Sequence, residues 1–103
     1  MTDKELLELA AKAAGIWDAS DPSLGLLKTS GQYWNPLTDD GDALRLAVKL
    51  EISLEFAAKA TWVELSYEDG TLTLDSIPHN NDPYAATRRA IVRAAAEIGK
   101  AMK

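Results

Sequence analysis

Between Ile52 and Ile77 the spacing of apolar residues changes from that of a helix to that of a strand, and this change constrains the fold more than any other feature of the chain. Ile52, Leu54 and Phe56 alternate with Ser53 and Glu55, and Val63, Leu65 and Tyr67 alternate with Glu64 and Ser66. Alternation sends every second side chain to one face of an extended strand. Asp69-Gly70 is the dipeptide favoured in a two-residue type I′ turn, so the expected hairpin sets Glu68 opposite Thr71, Tyr67 opposite Leu72 and Leu65 opposite Leu74. The other face would then carry Glu64, Ser66, Thr71, Thr73 and Asp75 around Trp62 and Ile77, a largely solvated surface. The segment reads as a three-stranded antiparallel meander.

Helical signals flank it. Thr2 with Glu5 three residues on has capping-box spacing, and Leu6, Leu9 or Ala10, Ala13 and Ile16 or Trp17 fall on one side of a helix ending near Gly15. Between Asp18 and Leu37 periodicity fails and Asp21-Pro22, Gly25, Ser30-Gly31 and Asn35-Pro36 mark turns, with room for a brief strand at 24–28 or 32–34. A second helix starts within Thr38-Asp39-Asp40-Gly41-Asp42 and runs to about Leu50, its apolar stripe Leu44, Ala47 and Val48 widened by Leu46 and Leu50. Ile77-Pro78 ends the sheet. Asp82-Pro83 is an N-cap followed by proline at the first helical position, and Tyr84, Ile91 and Ile98 recur at seven along an alanine-rich last helix. The expectation is one α+β domain over residues 1–103, a three-stranded meander packed with three helices, with Leu54, Phe56, Val63, Leu65, Leu72, Leu74, Ile91 and Ile98 in one core.

With 103 residues and no cysteine, such a domain holds by packing alone, and thiolate metal sites and cysteine nucleophiles are excluded. The N-terminus lacks the basic start and apolar run of a signal peptide, and no stretch approaches the ~20 apolar residues that span a bilayer. A cytoplasmic protein is expected. The single histidine, His79, sits in a polar loop, the glycines are dispersed, and no phosphate-binding loop follows a strand. Asp39, Asp40 and Asp42 lack the spacing of a calcium loop and suit the positive end of a helix instead. No metal, no cofactor and no enzymatic activity are expected.

Two segments, Trp34 to Leu50 and Asp82 to Gly99, with strands between them, resemble the signature blocks of the phage ABA sandwich domain family, small phage and prophage proteins of unassigned function. The blocks cover about a third of the chain. The resemblance implies an α/β/α three-layer sandwich, with helices on both faces of the sheet, and carries no catalytic residues over.

Two surfaces remain as candidates. Tyr33, Trp34 and Asn35, with Asp39 and Asp40 at the following helix mouth, combine aromatic contact area with polar groups in a long loop, which suits recognition of a protein partner. The structural counter-reading is that Trp34 and Leu37 close the core edge. The alternative surface is a phosphate-binding strip of Arg88, Arg89 and Arg93, which would make the chain a nucleic-acid-associated accessory factor. Residues 82–103 carry +3, yet residues 1–81 carry -8, and an acidic body repels polyanions. The sequence therefore favours a non-catalytic protein-binding module, acting on a host or phage protein, over nucleic-acid or membrane association.

Overall fold

The computed structural model describes residues 2–15, 34–66 and 72–102, and only the backbone at 66 and 72–74. The expected strand positions at 24–28 and 32–33, the Asp69-Gly70 turn, Tyr33 and the side chains of Leu72 and Leu74, expected in the core, lie outside what is described. The described order is helix α1 (Asp3–Ala14), helix α2 (Asp40–Lys49), strands β1 (Ser53–Phe56), β2 (Ala60–Ser66) and β3 (Leu72–Pro78), and helix α3 (Pro83–Ala101). The strands form an antiparallel sheet in the order β1-β2-β3. This is the expected α+β class.

Local chemistry sets the helix ends. Thr2 Oγ1 accepts the Glu5 N–H at 3.2 Å and donates to Glu5 Oε1 at 3.1 Å, so the two side chains bond each other rather than closing a reciprocal backbone box. Gly15 stops α1 in the left-handed region, φ 77°, where its N–H returns to Ala11 and Lys12 carbonyls. Asp39 caps α2 by accepting the Asp42 N–H at 2.8 Å, and Asp82 caps α3 by accepting the Ala85 N–H at 3.0 Å. The C-terminus of α2 carries no sequence signal, yet it closes as a Schellman motif. Ile52 N–H bonds the Ala47 carbonyl at 2.9 Å and Glu51 N–H bonds that of Val48 at 3.3 Å, with Glu51 at φ 56° in the place glycine usually takes.

The register of β2 against β3 differs from expectation by one residue: Leu65 pairs with Thr73, Val63 with Asp75 and Thr61 with Ile77. The sequence of β3 explains the conflict. Its apolar residues stand at both parities, Leu72 and Leu74 at one and Ile77 at the other, so no single register places all three on one face. The observed pairing puts Ile77, 8 % exposed, beside buried Thr61 and Val63. Asp75 shares that face, contrary to expectation, where Arg93 Nη2 meets its Oδ2 at 3.2 Å.

This face packs on α3, which is the centre of the molecule: Ala86, Ala90, Ile91, Val92, Ala94, Ala95, Ala96 and Gly99 are all buried. The most extensive contact between any two described elements is that of α1 with α3. The two helices run in the same direction, Asp3 beside Arg89 and Lys12 Nζ reaching the Met102 carbonyl at 3.0 Å. Small residues permit the approach. A Cβ built on Gly99 would stand 2.1 Å from the Leu9 carbonyl oxygen. On another side α2 buries Ala43, Leu46 and Ala47. Both outer helices pack on α3 rather than on the second face of the sheet, which carries exposed Ser53 and Glu55 and Trp62 at 45 % exposure. The described elements therefore do not form the two-sided cover of a three-layer sandwich.

Val63, Leu65 and Ile91 are core residues as expected, and Leu54 and Ile98 are partly buried against them. Phe56 is a correction. It lies 68 % exposed on the edge strand, because the gap between α2 and α3 that it overhangs is left open. The stripe expected on α2 is likewise split: Ala47 is buried with Ala43 and Leu46, while Leu44 and Val48 are 60 % and 70 % exposed.

Candidate functional site

The loop entering α2 is tied into the fold at almost every polar atom. Trp34 is 9 % exposed and belongs to the hydrophobic core, and the Pro36 side chain is fully buried. Asn35 Oδ1 accepts the Leu37 N–H at 3.0 Å, the turn typical of an Asn-Pro step. The Asn35 carbonyl accepts the N–H groups of Thr38 and Asp39 at 3.1 and 2.9 Å. Its own N–H goes to Asp42 Oδ2 at 3.0 Å, and the other Asp42 oxygen accepts from Arg45 Nη2 at 2.9 Å. Asp42 is 1 % exposed, so its carboxylate is the internal brace of this segment. Trp34, buried, and Asn35, half-buried and so bonded, offer little surface to a partner, and Asp39 acts as the cap.

Asp40 pairs with the basic helix. Arg88 donates Nη1 to Asp40 Oδ1 at 2.6 Å and Nε to the Leu37 carbonyl at 2.8 Å, stapling the mouth of α2 to α3. Arg89 pairs with Asp3 at 3.1 Å and Arg93 with Asp75 at 3.2 Å. The three arginines thus turn toward α2, α1 and β3 in turn, each against a carboxylate. They do not make a continuous cationic strip.

A surface that sequence reasoning missed lies beside this staple. Between α2, β1 and α3 runs a groove of about 440 Å³ with Leu44, Leu54, Phe56, Tyr84 and Ile91 along its walls and the Asp40–Arg88 pair at its rim. Leu44, Phe56 and Tyr84 are 60 %, 68 % and 70 % exposed, and Val48 follows Leu44 one turn on. Single exposed apolar residues are ordinary, but a contiguous set around a concavity marks a site of interaction. A signal existed in the sequence. The apolar residues of α2 cover more of its circumference than one core contact can bury, and Tyr84 opens the α3 stripe beyond the end of the sheet.

His79 is not a free loop residue. Its Nε2 lies 2.9 Å from Thr61 Oγ1, which in turn lies 2.8 Å from Thr87 Oγ1. A hydroxyl beside an imidazole has the outline of a nucleophile and its base. Here the Thr61 residue is 0 % exposed and its hydroxyl is engaged from both sides, so no substrate reaches it, and the trio joins the loop, β2 and α3. Among the described residues no group of three or more His, Asp or Glu side chains could hold a metal ion, and no helix is long and apolar enough to cross a membrane.

Comparison of the chain with family models, with curated protein sequences and with solved structures gave no match.

Proposed function

We propose that this chain is a non-catalytic protein-binding module that captures its partner in the groove between α2, β1 and α3, and that it serves as a small phage or prophage protein modulating a host or phage protein in the cytoplasm of the bacterial host. The observation that carries the reading is the exposure of Leu44, Phe56 and Tyr84 around one apolar concavity. Burying such side chains is the main favourable term in association, at ~1.5 to 3 kcal/mol for a fully buried Leu or Phe. Trp34 and Asn35 move from contact surface to support: Trp34 fills the core, and the Asn35–Asp42 bond fixes the mouth of α2. The nucleic-acid reading is weakened by the carboxylates that sit against Arg88, Arg89 and Arg93, since they offset the positive field that would draw phosphates to this helix.

The test is affinity capture from host lysate with the wild type, Leu44→Asp and Arg89→Ala, circular dichroism confirming that each is folded. Leu44 is exposed, so its replacement leaves the core intact. Capture lost with Leu44→Asp and kept with Arg89→Ala is the expected result. Capture indifferent to Leu44→Asp, or steeply salt-dependent DNA binding lost with Arg89→Ala, would overturn the reading.

A further inference from the structure

The two edges of the sheet are treated differently. In an antiparallel ladder each residue directs its N–H and C=O either to its neighbour or away from it, in alternation. Ala57 N–H bonds the Ala60 carbonyl at 2.9 Å, so Ser53 and Glu55 also face β2, and the backbone groups of Leu54 and Phe56 face outward. Among the described residues no donor or acceptor meets them. On β3 the bond from His79 N–H to the Lys59 carbonyl, 2.9 Å, sets the same alternation and turns Ser76 and Pro78 outward. There the Ser76 N–H is taken by Asp75 Oδ1 at 2.9 Å, and Pro78 has none to offer. Proline and side-chain cover are the usual means of closing an edge. Among the described residues, the β3 edge therefore offers no free N–H over this stretch, whereas the β1 edge offers those of Leu54 and Phe56.

The β1 edge borders the groove. Leu54 and Phe56 share the groove-side face, while Glu55 stands on the other face with Glu64 diagonally across and Trp62 beside it. Neither glutamate has an ion pair among the described residues, although Asp3, Asp40, Asp42 and Asp75 all do. We propose that β1 is a docking strand that takes an extended partner segment in antiparallel pairing, apolar–basic–apolar in sequence, its apolar side chains entering the groove and its Lys or Arg opposite Glu55. This rests on the groove reading above and deepens it. Three partner residues suffice: those opposite Leu54 and Phe56 exchange all four free backbone groups, and the central one faces Glu55 in the closer, non-hydrogen-bonded pair. Opposite charges there attract and like charges repel.

A second copy of this chain fits the edge less well. Two β1 strands using all four groups would set Glu55 against its own equivalent. Shifting the axis to Leu54 would require the Ile52 N–H, which is already bonded to Ala47.

The probe is a blocked, fluorescein-labelled peptide Thr-Val-Arg-Val-Thr, read by fluorescence anisotropy against Thr-Val-Glu-Val-Thr and against the arginine peptide N-methylated at both valines. The arginine peptide is expected to bind roughly five-fold or more tightly than the glutamate peptide, with Glu55→Lys reversing the order. N-methylation is expected to abolish binding, as is Phe56→Pro, which removes no bond to β2 because that N–H points outward. No binding of the arginine peptide, equal binding of both peptides, or indifference to N-methylation overturns the inference. Peptide binding lost with Leu44→Asp but insensitive to N-methylation and Glu55→Lys overturns strand addition while leaving the groove reading standing; binding that ignores Leu44→Asp overturns the groove reading instead. A concentration-dependent dimer in sedimentation, strengthened by Glu55→Gln and lost with Phe56→Pro, replaces the foreign segment with a second copy.

Discussion

Replacing Gly99 with alanine tests the packing of this molecule most sharply, because local and tertiary terms predict opposite signs. Gly99 lies in the last turns of α3, where exchange of glycine for alanine stabilises an isolated helix by up to ~1 kcal/mol. In the folded chain the added methyl group would meet the backbone of α1: the Leu9 carbonyl oxygen at 2.1 Å and its carbon at 2.8 Å, against 3.4 Å or more for ordinary contact. No side chain can rotate to make room, so α1 must move by more than 1 Å away from α3. That shift would loosen Leu6, Ala10, Ala11 and Ala14 on α1 and Ala95 and Ala96 on α3, all buried. Overpacking that forces backbone movement costs ~1 to 3 kcal/mol and sometimes more. With a clash against backbone the upper end applies, leaving a net loss of about 2 kcal/mol after the propensity gain. For a domain of this size that lowers Tm by roughly 10 °C. Urea unfolding monitored by circular dichroism measures it directly, and Gly99→Ala matching or exceeding the wild type in stability would refute the α1–α3 geometry.

The remaining predictions follow from single contacts. Glu51→Gly is expected to stabilise the domain by about 1 kcal/mol, since Glu51 holds φ 56° at the end of α2 where a Cβ is unfavourable; thermal unfolding reads the rise in Tm. Trp34→Ala is expected to cost ~3 to 5 kcal/mol in urea titration, the range for emptying a core aromatic, and to impair binding only through lost folding. Thr61→Val removes the hydroxyl shared by His79 and Thr87 without changing the volume much, and is expected to cost ~1 to 3 kcal/mol for the partners left unpaired. Hydrogen exchange at the start of α3 should quicken in the same variant.

The parts of this fold that the sequence by itself determined are those decided within a few residues. Thr2, the cluster from Thr38 to Asp42 and Asp82-Pro83 start helices, Gly15 ends one, and the alternating residues at Ser53–Phe56 and Ala60–Ser66 are strands, because capping, φ preference and the alternation of a pleated chain depend only on near neighbours; which aspartate of the cluster caps was left to the structure, which chose Asp39. Where two elements must agree, the local rule lost its hold. The register of β2 and β3 turned on whether Ile77 or the leucines at 72 and 74 shared a face with Val63, and Asp-Gly turn preference could not settle it. The close seat of α1 on Gly99 reverses the sign that helix propensity assigns there. Leu44 and Leu46 are equally apolar two positions apart, yet only the placement of α3 decides that Leu46 is core and Leu44 is groove wall. The arginines 88, 89 and 93 read as one basic surface along a helix, but each finds its carboxylate on a different element, since Arg88 and Arg89 project about 100° apart around α3 and Arg93 stands a turn beyond Arg89, where β3 replaces α1 as the neighbour. Burial and pairing are properties of what the chain brings together from a distance, and that is settled only when the helices dock.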